Sequence, residues 1–87
     1  MAVVMLPRAL VALFPAADRR VTLEGQTVGE LIDGLEARWP GMRDRLCEPG
    51  PVLRQFINVY VDGEPADLAS AVSEQTVVHV LPAVAGG

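Results

Sequence analysis

The hydrophobic residues fall into short runs separated by proline and glycine. Ala2 to Leu6 is an apolar run closed by Pro7. A run of that length, bounded by a turn signal, predicts a first strand. Leu10, Val11, Leu13 and Phe14 continue the apolar character loosely until Pro15 breaks it. From Val21 to Glu24 apolar and polar residues alternate ahead of Gly25, which predicts a second strand. The two pair as a hairpin across a long connection.

The period then changes from two to 3.6. Val28, Leu31, Ile32, Leu35 and Trp39 lie on one face of an amphipathic helix. Thr27 and Glu30 have the spacing of a capping box, in which the hydroxyl caps a backbone N–H and the carboxylate reaches back. Gly29 and Gly34 each weaken this helix by about 1 kcal/mol, and Pro40-Gly41 ends it. Met42 to Cys47 suits one more helical turn, and Glu48 to Pro51 reads as a loop. Period two returns after Gln55: Ile57, Val59 and Val61 point one way, and Phe56, Asn58 and Tyr60 the other. Asp62-Gly63 is a tight-turn signal, leading to a short strand at Glu64 to Ala66. Asp67 to Gln75 is a polar connection. Thr76 to Leu81 is the last strand, stopped by Pro82.

The predicted order is thus two strands, a helix, a strand with a short partner, and a final strand. A single helix in that position packs its apolar stripe across one face of a mixed sheet. The first and last strands then sit side by side at the centre. This is an α+β chain of the β-grasp, or ubiquitin-like, type, with a domain over residues 1–81 and a flexible tail over 82–87.

Composition sharpens the picture in three places. The chain has 87 residues, enough for one domain, and only four aromatics (Phe14, Trp39, Phe56 and Tyr60), so the core is aliphatic. The formal net charge of −4 argues against nucleic-acid binding, which needs a basic field, and suits a partner with a basic surface. Cys47 is the single cysteine, so no disulfide forms within the chain, and a cytoplasmic setting fits. The apolar start lacks the basic region of a signal peptide and is interrupted by Pro7 and Arg8. No stretch approaches the ~20 apolar residues of a membrane span.

The sequence closes on Leu-Pro-Ala-Val-Ala-Gly-Gly. A terminal diglycine directly after the last strand of a β-grasp, together with Phe56-Ile-Asn-Val-Tyr-Val-Asp-Gly63, resembles the sulfur-carrier proteins of the MoaD, ThiS and CysO type. The ending most resembles the CysO-like branch, which is associated with cysteine biosynthesis. The resemblance implies that an E1-like adenylyltransferase of the MoeB/ThiF kind uses ATP to adenylate the Gly87 carboxylate. Sulfur then replaces AMP to give a thiocarboxylate, and a biosynthetic enzyme accepts that sulfur. It also implies that Pro82, Ala83, Val84, Ala85 and Gly86 thread the partner's active site. Glycines without Cβ atoms suit a narrow cleft, Pro82 holds the tail extended as it leaves the sheet, and Val84 is the one large apolar anchor within it.

Such a carrier is a co-substrate and not an enzyme, and the sequence offers no catalytic set. Cys47 and His79 lie in separate elements with no third member; Cys47 reads as a small buried hydrophobe and His79 as a surface strand residue. One His and one Cys do not make a metal site, and no bound cofactor is expected. Glu30, Asp33 and Glu36 read as a solvated helix face. Period two leaves Phe56, Asn58, Tyr60, His79 and Leu81 on the open sheet face, a candidate docking surface for the activating enzyme. Covering of Phe56 or Tyr60 by the Pro7–Arg20 connection is the competing expectation. Three other functions stay open: a protein modifier joined to lysines through Gly87, a carrier serving the molybdopterin or thiamin branch, and a binding module whose diglycine is incidental.

Overall fold

In the computed structural model, which describes residues 1–82, the elements run β1 (Ala2–Met5), α1 (Arg8–Val11), β2 (Arg20–Leu23), α2 (Val28–Arg38), α3 (Met42–Leu46), β3 (Cys47–Glu48), β4 (Val52–Leu53), β5 (Ile57–Val61), β6 (Glu64–Ala66) and β7 (Val77–Pro82). Residues 83–87, which include Ala83, Val84, Ala85, Gly86 and Gly87 of the expected tail, lie outside the described residues.

α2 organises the core. Val28, Leu31, Ile32 and Leu35 are all buried, with Leu35 fully inaccessible. Thr27 is the N-cap, its Oγ1 accepting from the Glu30 N–H at 3.2 Å. The Glu30 carboxylate reaches back, but to the N–H of Gln26 at 3.1 Å, one residue ahead of the expected partner. The Val28 and Gly29 N–H groups donate to the carbonyls of Ser70 and Leu68. The Asp67–Gln75 connection is therefore a clasp over the helix N-terminus, supplying acceptors to donors that no helix satisfies internally. Val72, within the connection, and Thr76, just after it, are buried. At Gly34 an added Cβ would stand 3.2 Å from the Leu23 Cδ2 atom. Glycine there lets α2 approach β2 closely, which offsets part of its propensity cost.

The helix stops one residue before the apolar period does. Trp39 has φ −133° and ψ 87° and is the C-cap, half-buried against the core. The ring of Pro40 disfavours helical geometry for the residue preceding it.

The main sheet has the order β2-β1-β7-β5-β6. β1 and β7 are parallel at the centre, and every other neighbouring pair is antiparallel. This is the β-grasp arrangement predicted from the element order. The Asp62-Gly63 turn carries φ of 48° and 86°, the left-handed pair that a two-residue hairpin loop demands. β7 runs through Pro82, whose Cα pairs with Ile57, so this proline closes the strand and does not stand beyond it. A proline lacks only the donor, and its carbonyl side still fits the end of a ladder.

Two smaller elements depart from expectation. The loosely apolar Leu10–Phe14 stretch is no continuation of the first strand. Pro7 is the N-cap of the one-turn helix α1, which drops Leu10 into the core. Cys47–Glu48 and Val52–Leu53 pair as a short hairpin around the predicted loop.

Candidate partner interface

Alternation along β5 and β7 decides which side chains face away from the helix. Val78 and Val80 are 1% and 2% exposed and Val59 is 3% exposed, so these point to the core. Asn58, His79 and Leu81 are exposed and Tyr60 is half-buried on the other face. Register then brings them together: Tyr60 pairs with His79, and Asn58 with Leu81.

The same row continues across the sheet. His79 lies opposite Met5, Met5 opposite Arg20, and Tyr60 opposite Pro65. Four interstrand steps make this Arg20–Met5–His79–Tyr60–Pro65 row about 19 Å wide. Met5 was not legible as a member, because the continuous apolar run Ala2–Leu6 carries no alternation to separate its faces. The parallel pairing of β1 with β7 is what places it. The row has an apolar middle, hydrogen-bonding groups at Tyr60 and His79, and one cation at its β2 edge.

Phe56 is 57% exposed but does not stand in the strand. It lies in the turn ahead of β5, closed by the Ile57 N–H donating to the Arg54 carbonyl at 3.0 Å. Leu81 is 45% exposed and is the last open-face residue of β7, so the patch reaches the end of the described chain. The apolar residues Leu10, Val11, Phe14 and Ala17 of the Pro7–Arg20 connection pack with the core. Leu10 and Ala17 are buried in the helix-side core, and the Phe14 ring packs near Gly41.

The helix carboxylates do more than solvate a face. Both Glu36 oxygens accept the Gly41 N–H, at 3.1 and 3.2 Å, and Oε1 also accepts the Arg43 N–H at 2.9 Å. Glu36 thereby caps α3, whose own N-cap Gly41 has no side chain to do so. The Arg43 and Gly41 N–H bonds hold the Glu36 carboxyl below the usual carboxylate range. Asp33 pairs with Arg43 at 2.8 Å across the two helices. Glu30 accepts the Gln26 N–H just ahead of its helix. Each carboxylate therefore has a structural task that a reading of helical spacing cannot see.

Cys47 is 4% exposed. Burial pushes its thiol up, against the opposing pull of Arg43 and Arg54. A raised thiol is a poor nucleophile at neutral pH. Among the described residues no group of three His, Cys, Asp or Glu side chains is arranged to hold a metal ion, and no helix is long and apolar enough to cross a membrane.

The geometry is that of a ubiquitin-like domain presenting an open sheet face that runs to the end of β7. Comparison with known proteins agrees. The sulfur carrier protein CysO of Mycobacterium tuberculosis is 39% identical over 76 residues, covering 80% of this chain and 82% of the relative. Small archaeal modifier protein 3 of Haloferax volcanii is 37% identical over 65 residues, 70% of each chain. The crystal structure of the Amycolatopsis orientalis BexX/CysO complex contains a chain that superposes with a TM-score of 0.88 at 35% identity, each chain covered completely. A family model described as the ThiS family matches residues 10–87. The chain belongs to the ThiS family.

Proposed function

We propose that this chain is a sulfur carrier that works through the carboxylate of Gly87. The observation that carries the reading is its likeness, over four-fifths of its length, to a protein named as a sulfur carrier. The placement of β7 supports it: the central strand leads straight into the Ala-Val-Ala-Gly-Gly segment.

The chemistry balances as follows. A Gly87 carboxylate oxygen attacks the α-phosphate of ATP on an E1-like enzyme, and pyrophosphate leaves. A sulfur nucleophile then attacks the acyl carbon of the adenylate, a C–S bond forms, the C–O bond to AMP breaks, and AMP leaves. The thiocarboxylate sulfur attacks an activated carbon of a substrate held by the accepting enzyme and displaces its leaving group. Water then cleaves the acyl C–S bond, leaving the sulfur on the acceptor and returning the carrier to carboxylate. The protein supplies no catalytic group to these steps and acts as their co-substrate. The neighbouring CysO structure is a complex with a second protein, BexX; an enzyme partner that accepts sulfur is the corresponding proposal here. Cysteine biosynthesis or a related sulfur-incorporation pathway is the setting that the CysO likeness favours.

The test is intact mass after incubation with ATP, sulfide and an E1-like enzyme from the same organism. A gain equal to one oxygen-to-sulfur exchange, absent when Gly87 is deleted, is the expected result. No gain with a demonstrably active enzyme refutes the reading.

The likeness to small archaeal modifier protein 3 favours a second reading, in which Gly87 forms isopeptide bonds. All seven basic residues of the sequence are arginine. With no lysine ε-amine in these 87 residues, copies cannot be chained to one another through lysine. Modification would then build no lysine-linked chains, and covalent adducts on other proteins would reveal it.

A further inference from the structure

A second apolar surface flanks the tail root on the helix side of the sheet. Leu10, Leu46 and Ile57 floor a groove of about 170 Å³, with Leu13, Arg45 and Pro82 around it. Local sequence explains its shape. Pro7 starts α1, the single turn buries Leu10, and the following turn leaves Leu13 outside at 53% exposure. The Leu13 N–H donates to the Leu10 carbonyl at 3.0 Å, which fixes the leucine over the groove.

Arg45 supplies the second observation. Its neighbours each have a carboxylate partner: Arg43 pairs with Asp33 at 2.8 Å, and Arg54 lies 3.9 Å from Glu48. Among the described residues no carboxylate is within ion-pair distance of Arg45; Arg8, Arg19, Arg20 and Arg38 share that state, but Arg45 is the one that borders this groove. Arg45 and Leu13 also border the adjoining depression beside Phe14, Asp44 and Arg54, where the two arginines outnumber the one carboxylate. An exposed leucine alone is ordinary. An exposed leucine beside a guanidinium without a carboxylate, on the rim of an apolar groove, has the composition of an interface anchor.

The geometry points to this groove as the docking site for an acidic, apolar segment of the enzyme that activates the tail. An apolar side chain of that segment packs on Leu13, Ile57 and Pro82 above the buried Leu10 and Leu46, and its carboxylate meets Arg45. The inference rests on the carrier reading above. Continuity and charge choose the occupant. Pro82 is both a wall of the groove and the last residue of β7, so an enzyme that reaches Gly87 passes this spot. The rim offers a cation, which selects an acidic ligand. Leu81 faces the open sheet and Pro82 the groove, so the two surfaces grip the tail root from opposite sides.

The experiment measures thiocarboxylate formation by the E1-like enzyme of the same organism, with ATP and sulfide, at varied carrier concentration. Arg45→Glu and Leu13→Asp should each raise KM about tenfold and leave kcat within about twofold, the signature of lost docking. Both positions are exposed, and circular-dichroism melts should overlay those of the unaltered protein. Tyr60→Ala on the open face is the reference. If Tyr60→Ala raises KM and neither groove variant does, the groove proposal is overturned. If either groove variant melts early, Arg45→Gln decides, because it removes the charge without reversing it; an unchanged KM there is equally fatal. If the unaltered chain gains no sulfur at all, the carrier reading fails, and the groove loses its occupant with it.

Discussion

Val80 and Leu81 are adjacent in β7 and point in opposite directions, so truncating each should damage a different property. Val80 is 2% exposed within the core. Val80→Ala removes two methylene equivalents, worth ~0.8 kcal/mol each by transfer. The cavity left behind brings the cost to about 2 kcal/mol. For a domain of this size each kcal/mol shifts the melting temperature by roughly 4–8 °C, so the variant should melt about 10 °C lower. Leu81 is 45% exposed. Full burial of a leucine is worth roughly 1.5–3 kcal/mol, so a partner that covers the exposed part gains about 1 kcal/mol. Leu81→Ala should therefore raise KM for the activating enzyme about fivefold and barely move the melt. Circular-dichroism melting and steady-state thiocarboxylate formation read the two effects separately. The opposite pattern, an early melt for Leu81→Ala and an intact melt for Val80→Ala, would mean that β7 is one residue out of register and that every face assignment is inverted.

Glu36 predicts a pH dependence with a definite sign. Its carboxyl is lowered in the fold by the Arg43 and Gly41 N–H bonds, so its stabilisation is present above the ordinary carboxylate value and is lost as pH falls through the lowered one. Glu36→Gln should thus unfold at lower urea than the unaltered protein near pH ~7, with the gap closing toward pH ~3; a gap constant with pH refutes the capping account. Cys47, buried and with a raised thiol, should react with iodoacetamide on the order of 100-fold more slowly in the native protein than in denaturant. Equal rates, followed by mass, would show that the site opens.

The parts of the fold legible in the sequence are those in which one period persists. α2 shows its stripe over three turns, and β5 alternates without interruption, so both their type and their buried face could be read directly. What escaped is made of backbone and short range. Four residues of α1 are too few to display a period, and Pro7 looked like an end when it is a start. The clasp of Leu68 and Ser70 on α2 is made by carbonyl oxygens, which every residue possesses and no residue type advertises. Glu36 shows the same limit for side chains. Its helical spacing suggests solvent, but its partners lie five and seven residues ahead, brought within reach by the bend at Pro40-Gly41. On the open face Tyr60 and His79 were legible from alternation, whereas Met5 depended on a parallel pairing that no local pattern encodes.

The position of β7 explains how one strand can serve both fold and tail. β1 pairs with it on one side and β5 on the other. Its start is pinned as well: the Val77 N–H donates to Asp62 Oδ1, and the Val77 carbonyl accepts the Asp62 N–H, both at 2.9 Å. Strands bonded on both sides are the last to open in local fluctuations, whereas an edge strand such as β6 has a single ladder to lose. On the proposed carrier reading, an enzyme that acts on the segment after Pro82 pulls against a strand held on both sides. Had the chain ended on β6, the same pull would peel three residues from the sheet edge. A central last strand lets the end of the chain be handled while Val78 and Val80 keep the core closed, and it sets Leu81 and Pro82, on opposite faces, where a partner can grip the root from both sides.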